Sequence, residues 1–301
     1  MRTEWIWNAG LVVVSASAVA SGQSATISVN GLSAAGDLGN AGNGVSTGAF
    51  SETFVAQSLT WSGQVSSGPN AFFFEEDVFA SIEGPNGLGY TGPIAGEQGI
   101  FLGTTPFSGW GSGFAPASVN GAWRVEAYTP STFAGSTNWS LQSTDFAFNA
   151  DLFPAATSVG VGTSLSAGIT EGEIQWYSID HAGGGLEIST AGSILLELDG
   201  AIQTDDTLIA LFDGTGTLVE FNDDDPAGGF TSLLSFDDLA SGEYRLAVTG
   251  STLGTRVGQN FISTSHDGQG TIQLSIAVPA PGAFASLAAG TLVAIRRRRG
   301  T

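Results

Sequence analysis

Short apolar runs, each broken within a few residues by Gly, Ser, Thr or Asn, recur along the whole chain, and long helical periodicity is absent outside the two termini. Residues 243–248 alternate strictly, so Tyr244, Leu246 and Val248 share one face of a predicted strand. Residues 271–276 alternate in the same way. The pattern predicts an all-β protein of two tandem β-sandwiches of jelly-roll type, over residues 26–150 and 161–277. Between them, residues 151–160 read as a linker with a stop at Pro154. A short echo joins the halves. Gly121-Ala122-Trp123-Arg124-Val125 and Gly242-Glu243-Tyr244-Arg245-Leu246 share the order Gly, x, aromatic, Arg, apolar. In each, the aromatic is expected to face a core and the arginine to face outward toward a neighbouring carboxylate.

The ends follow a different pattern. Arg2 precedes an apolar run over residues 9–20, and the small residues Ala18-Val19-Ala20 and Ser21-Gly22 follow. That order predicts a secretory signal helix over residues 1–22, cut after Ala20 or Gly22 by signal peptidase. The competing reading is an N-terminal strand. At the other end, Val278, Pro279, Ala280, Pro281 and Gly282 lead into an apolar stretch that closes on Arg296, Arg297, Arg298 and Arg299. The prolines end the preceding strand. The stretch is shorter than the ~20 residues that span a bilayer comfortably, and the arginines favour the cytoplasmic side.

Residues 278–301 resemble a PEP-CTERM sorting signal, the three-part tag read by exosortases, in a form with Ala280 where the usual motif has Glu. Val-Pro-Ala-Pro-Gly followed by an arginine cluster is similar to the planctomycete form. The resemblance implies a short C-terminal membrane helix, an exosortase-like processing partner, and transient anchoring in the inner membrane. Its destination is then the cell surface, outer membrane or extracellular matrix. Residues 206–213, 216–224 and 239–248, with 174–179 upstream, resemble the bacterial prepeptidase C-terminal domain, a small non-catalytic β-sandwich. Residues 77–87, 121–128 and 138–141 resemble, as architecture, the proprotein-convertase P domain.

Composition narrows the function classes. Of 301 residues 44 are Gly; there is no Cys, and the formal charge is −20. Without the two ends, three arginines face twenty-seven carboxylates, a balance of −24. Such a surface repels phosphate backbones, so nucleic acid is excluded as a partner and cations or basic surfaces are favoured. Disulfides and thiolate metal sites are impossible without cysteine. His181 and His266 lack a nucleophile context such as G-x-S-x-G and read as exposed loop histidines.

Eight carboxylates fall between Asp199 and Asp225 with no basic residue among them. If their loops converge, Asp206, Asp213, Asp223 and Asp224, with Asn222 as a neutral ligand, form an oxygen-rich site suited to Ca2+. Solvated turn carboxylates are the competing reading. Adjacent Glu75 and Glu76 are not an acid–base pair, because neighbours on a strand point to opposite faces. Phe72, Phe73 and Phe74 before them read as core. Trp61, Trp110, Trp123, Trp139 and Trp176 read first as core and second as a sugar platform. The function expected is a non-enzymatic surface or matrix structural or binding protein. The alternative is an accessory module that binds surface polysaccharide or other surface proteins, ahead of a secreted hydrolase.

Overall fold

A computed structural model describes residues 13–19, 22–67, 78–85, 89–94, 104–130, 139–197, 202–226, 229–251 and 255–279. The described residues are all-β, with no α-helix among them. The first half contains β1 (Val13–Val19), β2 (Gly22–Val29), β3 (Leu32–Ser33), β4 (Val45–Phe50), β5 (Val55–Ala56) and β6 (Ser58–Ser67). It continues with β7 (Phe79–Glu83), β8 (Gly89–Pro93), β9 (Thr104–Gly111), β10 (Ala117–Ser118), β11 (Gly121–Tyr128) and β12 (Trp139–Asn149). The second half opens with β13 (Thr157–Val159), β14 (Thr163–Ile169), β15 (Gln175–His181), β16 (Gly184–Ser189), β17 (Ile194–Glu197) and β18 (Ile202–Thr204). It then runs through β19 (Thr207–Asp213), β20 (Leu218–Asn222), β21 (Leu233–Leu239), β22 (Gly242–Gly250), β23 (Thr255–Gly258), β24 (Phe261–Thr264) and β25 (Gln269–Ala277).

Apart from β5 and β10, which pair with each other, these strands build four stacked layers. The first is a four-stranded sheet, β4-β11-β7-β8, and the second an eight-stranded sheet, β1-β2-β12-β6-β9-β24-β23, with β3 beside β12. The third is five-stranded, β13-β15-β22-β19-β20. The fourth is six-stranded, β18-β17-β25-β16-β21, with β14 on β25. Period-two alternation fills the space between the first pair of layers with Ile27, Trp61, Phe107, Phe146, Phe148, Trp123 and Val125. The second pair encloses Tyr177, Ile179, Ile209, Leu211, Tyr244, Leu246, Val248, Ile272, Leu274 and Ile276. The inward faces expected for residues 243–248 and 271–276 are therefore the ones observed.

The two sandwiches are joined more closely than a linker predicts. Residues 255–264, assigned from the sequence to the second sandwich, form the hairpin β23–β24 and extend the first sandwich's sheet by pairing β24 with β9. Outward-facing Leu208, Ala210 and Phe212 of β19 and Ala247 of β22 then pack on Trp110 and Ile262, forming a third apolar cluster between layers two and three. The linker packs too. Phe153 stacks on Trp110 with ring centroids 5.0 Å apart, and Trp110 Nε1 donates to the Leu152 carbonyl at 2.9 Å. Residues 157–159 are a strand lying parallel to β15.

At the N-terminus, Val13–Val19 is a strand antiparallel to β2, where the sequence predicted a signal helix. The seven pairs to β2 supply cross-strand hydrogen bonds that an edge strand can share with any extended chain. Residues 1–12 and 20–21 of the predicted signal lie outside the described residues. So do residues 280–301, which hold the predicted tail helix from Ala280 onward, and residues 72–77 with the three phenylalanines and the Glu75–Glu76 pair.

Candidate functional site

The acidic loops do not assemble as the sequence suggested. Asp206 and Asp213 flank the two ends of β19, so a whole strand separates them. Asp213 is held in its own turn, where its Oδ1 accepts from Thr215 N at 2.8 Å, Thr215 Oγ1 at 2.6 Å and Thr217 N at 3.1 Å. Burial pushes the Asp213 carboxyl up, but these donors outweigh it and hold the group below the usual carboxylate range. Asn222 is also engaged, its Oδ1 accepting from Leu233 N at 3.0 Å. Asp223, Asp224 and Asp205 do bear electrostatically on Asp206. Desolvation first, then those neighbours, push Asp206 up to about 6 against a hydrogen bond from Ser251. Among the described residues no group of three or more acidic or histidine side chains is placed to hold a metal ion. The five residues predicted for Ca2+ therefore do not fit a single ion, and Asp213 is the clearest departure. It reads as an Asx turn, whose sequence signature is the same short polar turn that a metal loop would show.

Both histidines correct the exposed-loop expectation, for both are buried. His181 ends β15 with its Nε2 3.2 Å from the Gly184 carbonyl, beside Tyr244. His266 sits where the sandwiches meet, with its Nε2 3.1 Å from the Glu173 carbonyl and its own carbonyl accepting from Gly172 N at 2.8 Å. Burial holds the His266 imidazole below its ordinary value, which favours the neutral ring.

A carboxylate the sequence did not single out is buried and fully engaged. Glu126 on β11 is buried and accepts from Gly39 N at 2.6 Å, from Asn43 Nδ2 at 2.7 Å and from Arg124. Arg124 also lies 3.7 Å from Glu83, and Arg245 lies 2.7 Å from Glu243, so both echoed arginines meet the carboxylates expected of them. Through Asn43, which also donates to the Asp37 carbonyl and accepts from Ala35 N, Glu126 organises the loop before β4. The available signal was the two-residue spacing from Arg124, which on a strand places both on one face.

Four of the five tryptophans are core, as first expected: Trp61, Trp110, Trp123 and Trp139 are buried. Trp176 is only half-buried, and it borders a groove of about 230 Å3 at the junction. The groove's floor is the outward face of β12, β6 and β9, presenting Asp145, Ser62, Thr60 and Ser108; its wall is Pro154, Ile174 and Trp176. A second groove of about 360 Å3 follows the linker past Asp151, Phe153, Glu243 and Arg245. There Arg245 lies over the Phe153 ring at 5.3 Å and is already paired with Glu243.

No protein-family model matches the chain, and no curated protein matches it. Similar solved structures include the N-terminal CBM22-1-CBM22-2 tandem domain of Paenibacillus barcinonensis Xyn10C. It is 11% identical with a TM-score of 0.27, covering 88% of this chain and 91% of that one. The STIV MCP is 11% identical with a TM-score of 0.24, covering 84% and 96%. The CUB1-EGF-CUB2 region of human MASP-1/3 is 9% identical with a TM-score of 0.21, covering 84% and 99%. These scores are too low to carry a fold or a function from those proteins to this chain.

Proposed function

We propose that this chain is an exported, non-catalytic binding or structural protein of the cell surface or matrix, sorted through its C-terminal tail. The placement of the histidines carries the non-catalytic part. Both are buried against backbone carbonyls, and neither borders a described groove. The junction groove holds a single carboxylate, Asp145, and in the linker groove Glu243 is paired with Arg245, so neither presents two unpaired carboxylates for acid–base work. The export part is supported by the two ends. Among the described residues, removing 1–22 takes away the edge strand β1 and the first residue of β2, and none of the core residues named above. At the other end Val278, just after β25, is exposed, and the proline–apolar–arginine segment follows it in the sequence. The prepeptidase-C-terminal and P-domain resemblances belong to the same reading, since both describe sandwiches that accompany other activities.

Fractionation of producing cells tests it. The full chain should partition with membranes or surface, and deletion of residues 278–301 should release it into the medium. Unchanged retention after that deletion would sink the sorting reading, and peptide or glycoside turnover abolished by one substitution would sink the non-catalytic one.

A further inference from the structure

The junction groove combines features that no part of the sequence placed together. Strand register aligns Ser28, Asp145, Ser62 and Ser108 in one row across β2, β12, β6 and β9. Neighbouring strands lie ~4.8 Å apart, so the row is a ladder of oxygen-bearing side chains at that spacing. Most of the acceptor capacity is open to a ligand. Asp145 Oδ1 accepts from Ser28 at 2.5 Å, which leaves its Oδ2, and Ser108 uses its proton on the Gly172 carbonyl at 2.6 Å, which leaves its lone pairs. Trp176 of the other sandwich stands beside the row, braced from behind by Trp110 and Phe212 at 5.4 and 6.1 Å. Immediately before Asp145, β12 carries a bulge. The register shifts between Gln142 and Asp145, and Ser143 has φ +43°, the only positive φ outside glycine among the described residues. Bulges re-aim side chains, and strained backbone concentrates at sites of function.

We propose that this groove is a subsite for one ring of a neutral polysaccharide; the inference rests on the surface-binding reading and names its ligand class. A sugar ring has hydroxyls at its edge, which donate to Asp145 and the serine oxygens, and an apolar face, which covers the Trp176 indole. The volume is below the ~300 Å3 at which drug-sized sites begin, so it takes a single ring, while the hydroxyl ladder continuing to Ser28 receives the next. An anionic glycan is disfavoured because the groove holds a carboxylate and no cation. A lone ammonium group would meet Asp145 at an exposed position, where water screens the Coulomb attraction, and would leave the ladder unused.

Affinity electrophoresis of the full chain through gels containing xylan, dextran or hydroxyethyl cellulose tests this, with polygalacturonate and poly-L-lysine as charged probes. At least one neutral polymer should retard the protein, and titration with its oligosaccharide should change tryptophan fluorescence. Asp145→Ala, at an exposed position, should weaken binding at least tenfold. Trp176→Phe, which keeps a ring in the junction, should remove most of the fluorescence change. Asp223→Asn with Asp224→Asn, outside the groove, should leave affinity unchanged. No retardation by any neutral polymer overturns the proposal, as does binding that Asp145→Ala leaves intact. Retention by poly-L-lysine alone, lost in salt, overturns it in favour of a cationic partner. A protein retained at the surface that binds no glycan fails here only; one that binds glycan but is released with its tail intact fails the sorting reading only.

Discussion

Asp206 and Glu126 are both acidic and both out of full solvent, yet they respond to pH in opposite directions. Asp206 is raised from 3.8 to about 6 by desolvation and by Asp224, Asp223 and Asp205. A raised carboxyl binds its proton more tightly folded than unfolded. Its contribution is therefore complete below the unfolded value and is lost as pH rises through about 6. Asp206→Asn should consequently raise Tm at pH 7.5 and change it little at pH 4, as read by thermal melting at both. A Tm unchanged at pH 7.5 would mean that the acidic loops relieve their repulsion another way. Glu126 is desolvated as well, but donors from Asn43, Gly39 and Arg124 more than compensate and hold it low. Its contribution is present above the ordinary glutamate value and is lost as pH falls through the folded one. Glu126→Ala leaves Asn43, Gly39 N and part of the Arg124 charge without an acceptor. It should cost about 3–5 kcal/mol in urea unfolding at neutral pH. A cost near zero would show that water replaces the carboxylate.

At the scale of elements, β19 explains why the sandwiches do not behave as beads on a string. Residues 207–212 are buried throughout, because Ile209 and Leu211 face one core while Leu208, Ala210 and Phe212 face the junction. The uninterrupted apolar run Leu208 to Phe212 reads as a strand in the sequence. Its lack of alternation is the mark of a strand covered on both faces. What covers the second face is β9 and β24, brought there by the hairpin β23–β24. Trp110 lies at the centre of that contact, and a buried Trp→Ala change typically costs about 3–5 kcal/mol. Trp110→Ala should therefore lower the first transition and split a single calorimetric unfolding peak into two. A single peak retained at lower temperature would mean that the hairpin alone couples the two halves.

For the whole molecule the same junction makes either half incomplete. A fragment of residues 22–160 lacks β23 and β24, which leaves the β9 edge unpaired and Trp110 without Phe212, Leu208 or Ile262. An open strand edge beside an apolar patch is an association surface. The fragment should sediment as larger species at concentrations where the full chain does not, and Trp110→Ser within it should reduce the association. A fragment as soluble and stable as the full chain would show that the junction is incidental to folding. The surplus of carboxylates acts at this scale too. It biases the molecule against polyanions wherever a ligand docks, with an ionic-strength dependence set by a screening length of ~10 Å at 0.1 M salt.

Local chemistry was legible without the fold. Alternation at 243–248 and 271–276 set the inward faces, and the arginine echo set two ion pairs on matching strands. All of these depend on neighbours within a few residues, whose relation a strand's two-residue period dictates. The burial of His266, the separation of Asp206 from Asp213, the joining of β24 to β9 and the meeting of Asp145 with Trp176 depend instead on contacts between distant segments. A turn carboxylate and a metal-loop carboxylate share one sequence signature, and an apolar run does not name what will cover it. Those choices fell to packing, because the free energy gained by burying Trp110 and Phe212 exists only once both sandwiches are present.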